Sequence, residues 1–129
     1  MKMVYCLLAI MASSPAWAGD ACNCTGAPRN DYEIAKQAYQ AADQELNTTY
    51  QAALRSIESS ISDDRQRQDT RDRLKDAQRL WISYRDVDCD AVQSMWRNEP
   101  FADYMHLQCE TKHTQQRTKE IDTAYIIHG

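Results

Sequence analysis

The sequence predicts an all-α fold, an up-down-up bundle of three long amphipathic helices held by a disulfide. Apolar residues recur at three- and four-residue spacing over most of the chain, which is the period of one face of an α-helix. Glycine and proline are almost absent after residue 30, and no segment alternates like a strand. Two breaks in the apolar pattern, at residues 59–64 and 98–100, leave three helices with short connections.

The amino-terminal residues 1–18 have the pattern of a secretory signal peptide. Lys2 supplies the positive region, residues 4–12 are apolar, and "AWA" (16–18) is an A-x-A cleavage signal. We expect cleavage after residue 18, no lipid or membrane anchor, and a mature protein that is periplasmic or secreted. Residues 19–29 contain glycine and proline and are predicted to form an irregular segment.

The first helix is predicted to run from Asn30 to Ile61. Asn30 and Glu33 have the spacing of a capping box, in which each side chain satisfies a free backbone amide. The stretch "SSISDD" (59–64) ends this helix with residues that favour caps. Its predicted apolar face comprises Tyr39, Leu46, Tyr50, Ala53, Ile57 and Ile61.

The second helix is predicted from about Asp64 to Arg97 and the third from about Phe101 to Ile126. Residues 98–100, "NEP", form a turn because the proline ring disfavours continuing a helix. The predicted inward residues of the second helix are Leu74, Ala77, Trp81, Tyr84, Val92 and Met95. Those of the third are Tyr104, Leu107, Thr111, Thr114, Ile121 and Tyr125.

The run "DDRQRQDTRDRLKD" (63–76) mixes positive and negative side chains at helical spacing. Asp69 and Arg73, for example, are four residues apart and can pair on one helix surface. We interpret this run as a solvated, self-paired helix face rather than a binding surface.

The cysteine count favours disulfides. Of the five cysteines, Cys6 lies in the leader, and the even number left in an exported chain indicates pairing. The mature chain keeps Cys22, Cys24, Cys89 and Cys109. Cys89 and Cys109 each lie ten residues from Glu99, so an antiparallel hairpin centred there brings them level, and we predict that they are bonded. The other two pair with each other or across chains. Zinc is the competing interpretation, but this spacing is not a standard ligand set, so no metal is expected.

A group of polar residues is predicted to point into the apolar seam of the bundle. Arg85 and Asp88 share an arc of the second helix with Trp81, Tyr84 and Cys89. A first turn near Asp63 would bring Asp43, with Asn47 beside it, within reach of Arg85. The second turn would bring His113 and Arg117 to the same level. The natural pairings are Asp43 with Arg85, and Arg117 over the Trp81 ring.

Three interpretations of this polar cluster compete. In the first, the cluster is a hydrogen-bonded polar layer that fixes the register of the helices. In the second it lines a groove for a ligand or partner, and in the third it is a catalytic site. The first is favoured. An acid–base set of His113, Asp88 and Tyr84 lacks an activated nucleophile, a glycine-rich phosphate loop and paired carboxylates at a cleft, so His113 is interpreted as an edge residue. We expect no enzyme activity and no cofactor.

The charge of the chain narrows the possible partners. The formal net charge is −4, and removing Lys2 with the leader, which contains no acid, makes it −5. A mildly acidic protein is a poor ligand for nucleic acid or an anionic membrane, whereas it suits a basic protein partner.

Three stretches resemble the bacterial lysozyme-inhibitor LprI-type family: "ADQELNTTY" (42–50), "LKDAQRLWISYRDVDC" (74–89) and "CETKHTQQRTKEI" (109–121). The family pattern is A-D-x-x-L-N-x-x-Y, then L-x-x-A-Q-x-x-W-x-x-Y-R-x-x-x-C, then C-x-x-x-L-T-x-x-R-x-x-x-L. His113 stands where the family usually has leucine. The matching residues are Asp43, Leu46, Asn47, Tyr50, Gln78, Trp81, Tyr84, Arg85, Cys89, Cys109, Thr114 and Arg117.

The resemblance implies a small, exported, LprI-like helical domain over residues 30–129, with at least one relative that inhibits lysozyme. We therefore expect a non-enzymatic protein-binding module, with lysozyme as the leading target. An acidic inhibitor also complements a basic lysozyme. The alternative is an envelope stress or immunity-type protein that neutralises another hydrolase or toxin. The candidate structural or binding residues are Asp43, Asn47, Gln78, Trp81, Tyr84, Arg85, Asp88 and Arg117.

Overall fold

The computed structural model describes residues 27–128, which form three helices and no strand within that range. They are α1 (Ala27–Ser60), α2 (Asp64–Met95) and α3 (Ala102–Tyr125). The predicted all-α, up-down-up bundle is confirmed. None of these helices carries an apolar run that could span a bilayer. The predicted signal peptide (1–18), Cys22 and Cys24 lie outside the described residues.

Helix α1 starts earlier than the capping pattern predicts. It begins at Ala27, so Asn30 and Glu33 lie inside the helix and the predicted cap at Asn30 is wrong. Pro28 falls in the first turn, where its missing amide donor costs nothing because amides there have no partner within the helix. The proline is therefore compatible with a helix that begins before it.

The break between α1 and α2 follows the prediction. Asp63 has an extended backbone and caps α2, because its Oδ1 accepts a hydrogen bond from the backbone amide of Gln66 at 2.7 Å. Arg67 Nη1 donates to the carbonyl oxygen of Ile61 at 2.8 Å, and Arg67 Nε lies 3.3 Å from Glu58 on α1. The connection is thus short and closed by side-chain contacts on both helices.

The mixed-charge run on α2 pairs with itself in part, as predicted, but Arg67 and Arg71 also reach Glu58 on α1. Arg73 Nε lies 2.7 Å from Asp69 Oδ2, and the pair is largely exposed. Gln68 Nε2 donates to Asp72 Oδ1 at 3.0 Å. Such exposed pairs contribute little to stability, but they satisfy the polar face of the helix.

Helices α1 and α3 run parallel and approach each other more closely than either approaches α2. Near one end of the bundle, the backbone amide of Ile127 donates to the hydroxyl of Ser56 at 3.2 Å. The buried residues on the two helices are often small, for example Ala53 on α1 and Thr114 on α3. Small side chains allow a short distance between helix axes.

The apolar core occupies the end of the bundle where α1 turns into α2. The partly buried Tyr50, Trp81 and Tyr125 are among the side chains that pack around it. Its buried residues are Leu46, Ala53, Ile57, Leu74 and Ile121.

The opposite end is held by a disulfide between α2 and α3. Cys89 and Cys109 are bonded with a Cα–Cα distance of 5.5 Å, and Cys89 is fully buried. Nearer the turn, Gln93 Nε2 donates to Asp103 Oδ1 at 2.7 Å. The predicted pairing and antiparallel register are confirmed.

Two residues predicted to face inward on α2 are exposed instead. Tyr84 is 59% exposed and Met95 is 79% exposed. The buried face of α2 is set by Leu74, Arg85 and Cys89. Tyr84 directly precedes Arg85, and successive helical side chains are rotated by about 100°. Its ring therefore leaves the seam.

We predict that the disulfide stabilises the bundle by about 3 kcal/mol, because it closes a loop across 20 residues of sequence separation in the unfolded chain. The Cys89→Ala/Cys109→Ala variant should lose about that free energy of unfolding in urea titrations followed by circular dichroism. Its helical signal without denaturant should persist. An unchanged free energy would contradict the prediction.

We also predict that the core has no room beside Ala53, which is fully buried. Ala53→Leu should lower the free energy of unfolding by about 1 to 3 kcal/mol, because added methylenes strain a packed core. Ala41→Leu, at an exposed position of the same helix, is the matched control and should be nearly neutral. Equal stability of the two variants would contradict close packing at Ala53.

Candidate functional site

The centre of the polar cluster is Arg85, which is only 7% exposed. Its guanidinium carbon lies 5.1 Å from the centroid of the Trp81 ring, one turn earlier on α2, and 5.7 Å from that of Tyr39 on α1. Aromatic faces attract cations, and the attraction is stronger away from water. Arg85 therefore fills the space between α1 and α2 with a contact on each side.

The charge of Arg85 is balanced by its neighbour in sequence. Nε and Nη2 both donate to Oδ1 of Asp86, at 2.9 and 2.7 Å. Burial disfavours the charged guanidinium, but the hydrogen bonding to Asp86 and nearby negative charge outweigh it, so the pKa of Arg85 is raised above its ordinary value. The cation is therefore held charged inside the bundle.

The Tyr39 phenol is kept neutral beside this cation. Burial is the largest influence and raises the pKa of Tyr39, while the positive charge of Arg85 opposes that shift without reversing it. A phenol with a raised pKa is a poor base at neutral pH. We therefore interpret the Tyr39–Arg85–Trp81 stack as a packing contact and not as an acid–base site.

Two expected pairings of the cluster are wrong. Asp43 does not bind Arg85; its Oδ2 accepts a hydrogen bond from Asn47 Nδ2 at 3.3 Å on the surface of α1. Asp86 lies on the same helix as Arg85 and accepts the hydrogen bonds of its guanidinium, so it takes the place expected for Asp43.

The cation over the Trp81 ring is Arg85 and not Arg117. Arg117 Nε donates instead to Gln78 Oε1 on α2 at 3.0 Å. Its Nη1 donates to Glu120 Oε2 at 3.2 Å on its own helix. Arg117 thus links α3 to α2 about two helical turns from Arg85, toward the end of the bundle with the apolar core.

A second contact group forms next to the disulfide. His113 Nε2 donates to Asp88 Oδ2 at 2.7 Å, across from α3 to α2. The rings of Tyr84 and His113 make an edge-to-face contact, with their centroids 5.5 Å apart. His113 is partly buried, as expected of an edge residue.

Cys89, Cys109 and His113 have potential ligand atoms within 4.8 Å of one another. Both sulfur atoms are consumed by the disulfide, and a metal is bound by free thiolates rather than by a disulfide. Among the described residues, this group is therefore a disulfide with a histidine beside it and does not form a set of metal ligands.

The eight candidate residues separate into four contacts rather than one pocket. Asn47 lies with Asp43, Gln78 with Arg117, and Trp81 with Arg85, while Tyr84 and Asp88 share His113. That they act as a functional site stays a prediction. An open groove of about 350 Å³ between α1 and α3, lined by Ile34, Ala38 and Tyr104 among others, contains none of them.

Sequence reasoning missed Tyr39 and Asp86 as partners of Arg85. The apolar periodicity correctly places Tyr39 on the inner face of the first helix. It does not indicate that the Tyr39 ring covers the Arg85 cation. Asp86 is adjacent to Arg85 in sequence, and adjacent helical residues ordinarily point in different directions. Only the long, bent arginine side chain brings the two together.

A sequence model described as lysozyme inhibitor LprI matches residues 24–121. This chain belongs to the lysozyme inhibitor LprI family. The resemblance carried by the three motifs is thereby confirmed over most of the chain.

Two relatives are similar to this chain. The uncharacterized protein R02472 of Rhizobium meliloti is 35% identical over 91 residues, which are 67% of this chain and 66% of that protein. The uncharacterized protein YecT of Escherichia coli is 29% identical over 92 residues, or 67% of this chain and 57% of that protein. The chain thus spans less than two thirds of the length of either relative. No solved structure is significantly similar to it.

The motif residues of this LprI chain are mostly framework. Leu46, Arg85, Cys89 and Thr114 are buried. Arg117 contacts Gln78, another motif residue. The family signature therefore records how the three helices pack.

We predict that Arg85→Ala lowers the free energy of unfolding by about 2 to 4 kcal/mol, since it empties the seam and unpairs Asp86. Asp86 is half-exposed, which keeps the loss below that of a fully buried pair. Thermal and urea unfolding measure it. Arg85→Met, which keeps the side-chain volume, should lose less.

The matched control is Arg79→Ala, which removes an exposed arginine from the same helix and should change stability by less than about 0.5 kcal/mol. If Arg85→Ala were as stable as Arg79→Ala, the stack would not hold α1 against α2.

Proposed function

We propose that this protein is an exported, non-enzymatic inhibitor that binds lysozyme and blocks its cleavage of peptidoglycan. Membership in the lysozyme inhibitor LprI family, over residues 24–121, is the observation that carries the proposal. The predicted signal peptide would deliver the protein to the compartment where lysozyme attacks the cell wall.

Electrostatics supports this target. The chain has a net charge of −4, and lysozymes are typically basic enzymes. Opposite net charges steer two proteins together and raise their association rate, most strongly at low salt.

The form of the molecule also suits an inhibitor. The helices are tied together by the disulfide and by the Arg85 stack, so the outer surface is held in one shape before binding. A preformed surface loses little conformational entropy when it docks. The His113–Asp88 contact lies beside the disulfide, without a nucleophile among its described contacts, which fits binding rather than turnover.

A second target class is favoured by one observation. The buried motif residues, such as Arg85 and Cys89, belong to the scaffold, so the family signature does not by itself identify the surface that would meet the target. The same scaffold could present a different surface to another envelope hydrolase or toxin. An envelope stress or immunity-type role is therefore the alternative.

We predict that the purified, exported protein lowers lysozyme activity in a cell-wall clearing assay, in proportion to its concentration and near one-to-one stoichiometry. Raising the salt from about 0.05 to 0.5 M should weaken inhibition, because exposed charges are screened. An unrelated acidic protein of similar net charge is the control and should not inhibit. Full activity of several lysozyme types at excess protein would refute the lysozyme proposal and favour the alternative target.

A further inference from the structure

The outer face of α2 carries a second apolar stripe that is exposed. Leu80, Tyr84 and Val87 follow one another at four- and three-residue spacing and are 73%, 59% and 70% exposed. Met95 continues the stripe and is 79% exposed. The stripe extends over about 22 Å of helix. Large exposed apolar side chains gathered on one face are characteristic of interaction sites.

This stripe faces away from the other two helices. The buried residues of α2 are Leu74, Arg85 and Cys89, which lie against α1 and α3. At about 100° per residue, Leu80 and Val87 point more than a quarter-turn away from that buried face. The stripe is therefore not part of the core, and among the described residues no helix covers it.

The surroundings of the stripe are acidic. From Leu80 to Met95 the sequence contains Asp86, Asp88 and Asp90 but a single basic residue, Arg85. Arg85 and Asp86 form an ion pair and offset each other, so Asp88 and Asp90 are the acidic side chains beside the stripe that this pair does not balance. The exposed Arg79, directly before Leu80, lies 3.8 Å from Asp76. Asp90 is the most exposed of the three aspartates, with a side chain 69% exposed.

This charge pattern selects among the possible occupants of the stripe. A second copy of the same face would bring the aspartates together, and an anionic membrane would repel them. A basic protein that presents apolar side chains among its lysines and arginines complements both features. Apolar burial would supply affinity, and the aspartates would speed association.

Tyr84 is the best-placed anchor in the stripe. It belongs to the family motif, yet it is exposed, unlike the neighbouring motif residues Arg85 and Cys89. Its edge-on contact with the His113 ring restrains the exposed ring. A restrained aromatic side chain is a favourable contact at an interface because little freedom is lost on binding.

We propose that the outer face of α2, formed by Leu80, Tyr84, Val87 and Met95 beside Asp90, is the surface that docks the basic target protein. The identity of that target as lysozyme rests on the proposed function. The buried residues of the same helix hold the stripe in place, and the exposed ones make the contact.

The apolar part of the proposal is tested with Leu80→Ser/Val87→Ser. Both side chains are exposed, so unfolding of the variant should match the wild type. Its affinity for immobilised lysozyme and its inhibition constant should both worsen about ten-fold or more, as expected for central interface residues. Ile127→Ser is the matched control, since Ile127 is 72% exposed and lies beyond α3, and it should bind like the wild type.

The charged part is tested with Asp90→Asn against Glu45→Gln, an exposed carboxylate on α1. Asp90→Asn should slow association about three-fold at low salt and have no effect at about 0.5 M salt, where the charge is screened. Glu45→Gln should leave the association rate unchanged. Equal rates for both variants at low salt would count against the acidic rim.

The outcomes separate the two proposals. Wild-type inhibition that persists in Leu80→Ser/Val87→Ser would overturn the docking face while leaving lysozyme inhibition intact. A wild type that neither binds nor inhibits any lysozyme would refute the proposed function and the target named for this face. Concentration-dependent dimers of the wild type that Leu80→Ser/Val87→Ser abolishes would make a second copy the occupant and overturn the proposal.

Discussion

The burial of one charged side chain determines how α2 sits in the bundle. Arg85 lies between the rings of Tyr39 and Trp81, and its charge is balanced by Asp86. A buried cation persists only where its hydrogen bonds are satisfied. The guanidinium lies against the Tyr39 ring of α1, so this side chain contributes to the contact between α1 and α2. Its direction in turn decides which residues of α2 face outward.

The two ends of the bundle are stabilised by different means. The apolar core, with Leu74 and Ile121, lies at the end where α1 turns into α2. At the other end, the Cys89–Cys109 bond joins α2 to α3 where polar contacts are frequent. A small three-helix domain has little apolar surface to bury, so a covalent link compensates where the core is thin. Oxidation is therefore part of the stability of the fold.

Residues of α2 that are neighbours in sequence face opposite ways. Arg85 and Cys89 face inward, whereas Tyr84 and Val87 face outward. The family motif consists mainly of the first kind, so a match to the family identifies the scaffold. Relatives could keep the packing residues and change the exposed ones without losing the fold.

Much of the fold followed from local patterns. The helix breaks at Asp63 and Pro100 depend on caps and on the proline ring, which act within a few residues. The pairing of Cys89 with Cys109 followed from their equal distance to the second turn. The candidate site was less predictable. Asp43 and Arg117 were placed at about the right level but given the wrong partners, because level along a helix does not fix rotation about its axis.

The sequence by itself determined three helices, their short connections, the disulfide across the second hairpin and the family. These depend on spacing and on local chemistry, which the chain carries without reference to its neighbours. Only the tertiary structure decided that Arg85 binds Asp86 beneath Tyr39, and that Tyr84 and Met95 face solvent. Those facts depend on the distance and rotation between packed helices. The distance and rotation between helices are set by the side chains that pack between them, which are small between α1 and α3 and large between α1 and α2.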